Sequence, residues 1–330
     1  MKTHQSKNIC LAPLKNKRIA ILGYGSQGRA QALNLRDSGC KVVVGLRPKS
    51  FSFQKAKKEG IKALPIEQAL EGSDLVCFLH PDEFQASVYK EYVQAILKKG
   101  MTLVFAHGFN ITFQKIIPPK FIDVILVAPK GPGPTLRKAY LEKKGLPFLM
   151  AIHQDMSGEA KKLSLAFAKA AGCQNAPIFE TTFPEETWTD LFGEQTVLCG
   201  GVVELMKAAF ETLVKAGLSP EAAYFECFHE LKFIVDLLHQ GGISGMEKVI
   251  SRTAHYGGMT RGASLIDQRV RKKLEKIFLE VKSGKFTKEW LCENQKGLPV
   301  YQKLSSQNLN HPIEVIGRRV RRLMGYERSS

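Results

Sequence analysis

The chain has 330 residues, 44% of them hydrophobic and 24% charged, with 48 Lys and Arg against 31 Asp and Glu for a net charge of +17. That length suggests two globular domains, the composition is that of an ordinary folded protein, and no apolar run of about 18 residues is present to span a membrane. The seven cysteines (10, 40, 77, 173, 199, 227 and 292) form no CxxC pair, which argues against zinc and disulfide frameworks and for a reducing cytoplasm.

The first residues, MKTHQSKNICLAPLKNKR, lack an apolar core of signal-peptide length. Six apolar runs then read as strands: RIAILG (18–23), KVVVG (41–45), DLVCFLH (74–80), MTLVFAH (101–107), DVILVAP (123–129) and PFLMAIH (147–153). They do not alternate with polar residues, as expected of parallel strands covered on both faces. Helical stretches lie between several of them, most clearly 26–38, 82–99 and 156–171. Repeated strand–helix units predict an α/β domain with a doubly wound, Rossmann-like parallel sheet over residues 1–181.

From about residue 182 the strand-like runs vanish. Helices are expected over 185–216, 219–239, 243–254, 262–283 and 310–324. Ser219-Pro220-Glu221 is a strong helix start, and Gly217 before it is a plausible stop. The second domain, 182–327, is therefore read as all-α. The positive charge is spread along the chain, and its one dense run, GRRVRRL (317–323), has no aromatic interleaving. It reads as a solvated basic surface, with neither nucleic acid nor membrane as partner.

The first strand runs into Gly23-Tyr24-Gly25-Ser26-Gln27-Gly28 and then a helix. This is GxGxxG in its working context. The glycines allow a tight turn and close approach to a pyrophosphate, which sits on the helix N-terminus. An NAD site usually places an acid about 20 residues on, for the ribose hydroxyls. Here Arg47, Lys49, Ser50 and Ser52 stand there instead. They suit a 2′-phosphate, so the cofactor is read as NADP(H). Polar residues also follow the next strands: His80 to Glu83, His107 to Asn110 and Pro129 to Pro134. Ligands of open α/β sheets bind at that edge, which aims His107 and Lys130 at the cofactor.

In the helical region, Asp190 and Glu194 are four residues apart, as are Glu226 and Glu230. Each pair lies on one helix face. Both sit among apolar residues, such as Trp188, Leu191 and Phe192 for one and Tyr224, Phe228 and Phe233 for the other. Uncompensated burial of carboxylates is costly. Four oxygen donors on two helices suit Mg²⁺, and neither pair carries the histidine of a di-iron site. A two-Mg²⁺ site is the preferred reading, and two unrelated acidic faces the alternative. Hydride transfer needs no such metals, so they would serve a further step on vicinal oxygens.

With these residues in view, the chain resembles the ketol-acid reductoisomerase (acetohydroxyacid isomeroreductase) family in its short, class I form. ILGYGSQG, ALNLRDSG, VVVGLRP, HGFNI, VAPKGPG, DLFGEQTVLCGG, YFECFHELKFIVDL and ISRTAHYG occur in the family's order over nearly the whole chain. The resemblance implies a Mg²⁺-dependent alkyl shift in 2-acetolactate or 2-aceto-2-hydroxybutyrate, followed by reduction by NADPH, on the path to valine, leucine and isoleucine. It implies that Asp190 bridges two metals, that Glu194 binds one and Glu226 and Glu230 the other, and that Ser251 holds the substrate carboxylate. His107, Lys130 and Glu230 are then the catalytic groups. Tyr24 to Gln27, Arg47, Ser50, Ser52, Asp82, Glu83, Phe84, Gln85 and Gly133 line the cofactor. The family's helical domain is knotted and dimeric, with the second glutamate pair and the serine supplied by the partner, which implies at least a homodimer.

The chain departs from the family pattern at Arg29, usually His; at Pro134-Thr135-Leu136, usually His-Leu-Val; and at Arg252 and His255, usually Asn and Glu. Two other readings stand beside the leading one. A metal-independent NADP-dependent hydroxyacid dehydrogenase would share the two-domain plan. A basic, non-enzymatic nucleic-acid-binding relative would use Arg318, Arg319, Arg321 and Arg322.

Overall fold

The structure, a computed structural model, describes residues 1–326; residue 327, the last of the expected second domain, lies outside them. The chain divides into two compact units, residues 1–189 and residue 190 onward.

The first unit is built on nine strands: β1 (Thr3–Gln5), β2 (Arg18–Leu22), β3 (Lys41–Leu46), β4 (Ala63–Pro65), β5 (Leu75–Phe78), β6 (Thr102–Phe105), β7 (Asp123–Pro129), β8 (Phe148–Gln154) and β9 (Pro177–Glu180). They form one sheet in the order β1-β9-β8-β7-β6-β5-β2-β3-β4. Strands β2 to β7 run parallel. The apolar runs lie buried because both faces are covered. Ile19, Ile21, Cys77, Val104 and Ile125 face one core, and Ala20, Leu22, Phe78, Phe105 and Leu126 face the other. On the second face the Phe78 and Phe105 rings stack with centroids 4.8 Å apart.

The sheet is not parallel throughout. Strand β8 pairs antiparallel with β7, β9 runs parallel to β8, and β1 closes that edge antiparallel to β9. The expected strand 147–153 is thus present but runs antiparallel to its neighbour, although a helix, Gly133–Leu141, lies between the two strands in the chain. Strands β1, β4 and β9, of three or four residues, are too short to show a hydrophobic period.

The second unit is helical throughout its described length. Two further helices, Lys285–Gln295 and Pro299–Asn310, occupy a stretch where no helix was expected. The predicted helix 185–216 is interrupted by a π-helical turn, Glu194–Leu198, and restarts at Gly201. The predicted helix 219–239 is likewise Pro220–Tyr224, a π turn Phe225–His229, and a long helix Leu231–Val249. That helix bends at Gly242, whose φ of 65° is left-handed. Among the described residues the unit's one buried cluster is small: Phe210, Ala223, Tyr224, Ile313 and Val320.

Candidate active site

Strand order reverses at β2: the chain moves outward through β3 and β4, then crosses back to β5 and on through β6 and β7. In open α/β sheets the crevice at such a switch point takes the ligand. A cleft of about 320 Å³ lies there, walled by the ends of β2, β3 and β5 and by residues that follow them. Gly23 has a φ of +99°, and a Cβ on it would come within 2.9 Å of the His80 Cβ and the Leu79 carbonyl oxygen. A Cβ on Gly28 would lie 2.5 Å from the Gly23 carbonyl oxygen. Both glycines are thus dictated by close backbone approach. The loop lies flat against the helix Ser26–Asp37, whose first N–H groups are left for a ligand.

Of the residues expected at the cofactor, Gly23, Tyr24, Gly25, Arg47, Ser50, Ser52 and Phe84 wall this cleft. The Arg47 guanidinium sits 5.5 Å from the Phe84 ring centroid. Gly133 packs against the start of the helix instead: its N–H donates to Ser26 Oγ (3.2 Å), and a Cβ there would meet the Ser26 carbonyl oxygen at 2.0 Å. Gln27 donates to the Gly131 carbonyl oxygen (2.9 Å), tying the same two loops together. Gln85 is buried, with its amide donating to the His80 carbonyl oxygen and Asp82 Oδ1, while its Oε1 accepts from Asn110. Glu83 is half-buried in the first turn of the helix Asp82–Val88.

His80, which the sequence reading set at this edge, lines the cleft, and so do Ser87, Glu91 and Tyr92, which it did not select. His80 Nδ1 lies 3.3 Å from the Leu22 carbonyl oxygen, and burial lowers its pKa to about 4, so the ring is neutral. Glu91 and Tyr92 arrive on a π turn, Tyr89–Val93, in place of the regular helix that periodicity suggested.

A second polar centre lies at the ends of β6 and β7. Glu186, with only 1% of its side chain exposed, gathers His107 Nδ1 (3.0 Å), the Gly108 N–H (2.9 Å) and the Lys130 ammonium (3.5 Å). A carboxylate so deeply buried must be paired and hydrogen-bonded. Accepting from Nδ1–H, it also fixes the imidazole tautomer. Gly108 is required: a Cβ there would lie 2.4 Å from Thr187 Oγ1 and 2.8 Å from the Phe183 carbonyl oxygen. The structure thus brings His107 and Lys130 together as expected partners of one site edge, through a residue the sequence reading did not select. The available signal was Glu186 standing one helical turn before Asp190 on the helix Phe183–Gly193.

The carboxylate pairs belong to the second unit. Asp190 is half-buried and Glu194 exposed at the start of its π turn. Glu226 lies inside the other π turn and Glu230 just past it, both exposed. The Glu226–Glu230 spacing therefore falls on a wider turn than an α-helix supplies, a form that recurs at functional sites, whereas Asp190 lies in the last turn of a regular α-helix and only Glu194 opens a π turn. The greasy neighbours do not bury these acids. Tyr224 is buried and stacks on Phe228 at 5.0 Å, whereas Phe225, His229 and Phe233 form an outward file of edge-on rings spaced 5.5 and 5.4 Å. Among the described residues, no group of three or more ligand side chains includes Glu226 or Glu230. Ser251 is exposed and caps the helix Arg252–Leu265, its Oγ accepting from the Ala254 N–H (3.1 Å). Of the residues that depart from the family pattern, His255 faces Glu247 at 3.2 Å, and Arg29 grips Glu59 with its guanidinium fork.

A switch-point nucleotide cleft, a buried acid–histidine–lysine centre on the same sheet edge and an all-helical unit carrying two carboxylate pairs define a two-domain nicotinamide-dependent oxidoreductase. Residues 13–177 match the model of the acetohydroxy acid isomeroreductase NADPH-binding domain, and residues 183–326 that of the ketol-acid reductoisomerase C-terminal domain. The chain is 49% identical over 324 residues to the ketol-acid reductoisomerase (NADP(+)) of Petrotoga mobilis, covering 98% of each. It superposes with a TM-score of 0.95 on the NADH-preferring ketol-acid reductoisomerase from an uncultured archean, at 46% identity and covering 98% of this chain and 99% of that one. A semialdehyde dehydrogenase NAD-binding protein from Cupriavidus necator, 18% identical with a TM-score of 0.63 over 81% of this chain and 99% of its own, shares the fold alone. The chain belongs to the ketol-acid reductoisomerase family.

Proposed function

We propose that the protein converts 2-acetolactate or 2-aceto-2-hydroxybutyrate to the corresponding 2,3-dihydroxy-3-alkyl acid, by alkyl migration and then hydride transfer from NADPH, in branched-chain amino-acid biosynthesis. The observation that carries this reading is Glu186, buried and holding His107 and Lys130 at the nicotinamide edge of the sheet. Substrate oxygens gain negative charge in both steps. The Lys130 ammonium offsets that charge, and the Glu186–His107 pair presents a ring of fixed tautomer for proton movement. Tyr24 and the glycine loop take the pyrophosphate, while Arg47, Ser50 and Ser52 take the 2′-phosphate. Ser26, Gln27, Gly133, Asp82, Glu83 and Gln85 hold the shape of that cleft.

The donor set fits Mg²⁺: Asp190, Glu194, Glu226 and Glu230 offer only carboxylate oxygens, and like charges at this spacing repel unless a cation lies between them. Bound there, Mg²⁺ supplies Lewis-acid polarisation of vicinal substrate oxygens. We place Glu226, Glu230 and Ser251 in the partner's active site. Among the described residues neither glutamate joins a group of three or more ligand side chains, and Phe225 and Phe233 beside them are exposed. The functional unit is then at least a homodimer, with the domain junction at 181/182. Seven free cysteines suit the cytoplasm.

The test is direct. Protein, Mg²⁺, NADPH and 2-acetolactate are mixed and NADPH absorbance is followed. A loss of absorbance that EDTA abolishes is expected. Reduction that survives both EDTA and Glu226→Gln would point to a metal-independent dehydrogenase, and no loss at all would sink the proposal. NADH in place of NADPH separates this chain from its NADH-preferring relative.

A further inference from the structure

We propose that Glu59 and Arg29 are positioning residues that set the spacing between the glycine loop and the phosphate loop 47–52, and so the preference for NADPH over NADH. The inference rests on the cofactor reading above.

The phosphate loop has little of its own to hold it. Lys49 has a φ of 65°, Phe51 is 94% exposed, and the internal ties are the Ser50 N–H donating to the Arg47 carbonyl oxygen (3.2 Å) and the Ser52 N–H donating to Ser50 Oγ (3.3 Å). One end is anchored by Arg47 on Phe84. The other end runs into the helix Ser52–Lys58, a rod of about 10 Å.

Glu59 closes that rod, and its carboxylate is gripped from two directions. Tyr24 Oη donates to Oε2 (2.8 Å), and Arg29 Nε donates to Oε1 (2.8 Å) and Oε2 (3.0 Å), with Arg29 Nη2 adding a third bond from the fork. Arg36 donates to the Glu59 carbonyl oxygen from the same long helix. Tyr24 belongs to the glycine loop, and Arg29 and Arg36 to the helix that follows it. The far end of the phosphate-loop helix is thus bolted to the pyrophosphate half of the site.

A partly exposed ion pair contributes little to stability, but a bidentate arginine fork fixes direction. The consequence is therefore expected in binding geometry. NADPH must span both loops. NADH lacks the 2′-phosphate and does not depend on where the second loop stands.

The experiment titrates the full-length protein with NADPH and with NADH by fluorescence, for the wild type, Glu59→Gln, Arg29→Met and Arg29→Lys, and measures kcat and KM for NADPH. Glu59→Gln and Arg29→Met are expected to weaken NADPH by about fivefold or more, to change NADH by less than about twofold, and to leave kcat at saturating NADPH within about twofold. Arg29→Lys, which keeps the charge and loses the fork, is expected to fall between them and the wild type. NADPH binding that stays within about twofold of wild type, or equal weakening of both dinucleotides, would overturn the proposal. Should Glu59→Gln not fold, Arg29→Met decides. A wild type that binds neither dinucleotide removes the cofactor reading itself, and this inference with it.

Discussion

The two units bury their side chains by opposite rules. The α/β unit encloses a two-sided core and turns its functional acid, Glu186, inward onto partners of its own. The helical unit keeps one small cluster inside and leaves Phe233 (49%), Ile243 (68%) and Tyr256 (67%) exposed, with Glu226 and Glu230 standing among such residues. So small a buried core limits the stability of a unit of this size, and exposed apolar area of this kind fits the interface proposed above. One unit is closed by its own sequence, and the other, on the homodimer proposed above, is closed by a second copy.

The contrast can be broken at its acids first. Glu186→Gln and Glu226→Gln should each lower turnover by roughly 10²–10⁴-fold, but only Glu186→Gln should also lower stability, by about 2–3 kcal/mol, because it leaves buried donors short of a charged acceptor. Thermal melts of the metal-free variants read the difference. Next in size, Phe78→Ala in the sheet core should cost about 3–5 kcal/mol in urea unfolding. Phe233→Asp should weaken assembly by on the order of 3 kcal/mol, seen as a smaller species in light scattering, while Ile117→Asp, at an exposed site of the α/β unit, should change nothing. The smallest effect is acid sensitivity of the α/β unit. Burial lowers the His80 pKa to about 4, so the unfolded chain takes the proton first. Stability is full above about pH 6.5 and falls as pH drops toward 4. Glu59, held below the usual carboxylate range by Arg29, adds a loss only at lower pH still. His80→Gln should flatten the upper part of that profile.

Much of the α/β unit is legible from sequence because its rules are local. Apolar runs covered on both faces identify the strands, and the glycine loop announces itself after β2. Direction is not local, and the reversal of β8 depends on how the chain returns to the sheet. Glu186 escaped notice because its role comes from residues 78 and 79 positions away, Gly108 and His107. The carboxylate pairs were visible as spacings, but their apolar surroundings suggested burial. The file of exposed Phe225, half-buried His229 and exposed Phe233 shows that hydrophobicity in sequence does not by itself say that a side chain is buried within its own chain. The π turns that begin at Glu194 and at Phe225 leave no sequence mark at all, since five-residue and four-residue closure use the same residue types.

Subunit complementation tests most directly the claim that two chains build each active site. Glu186→Gln and Glu226→Gln are separately inactive on this account. When subunits are exchanged, half of the dimers are mixed, and each mixed dimer holds one site in which both acids are intact. The account predicts recovery of about a quarter of wild-type NADPH oxidation with 2-acetolactate and Mg²⁺. A mixture that exchanges subunits and stays inactive would contradict it.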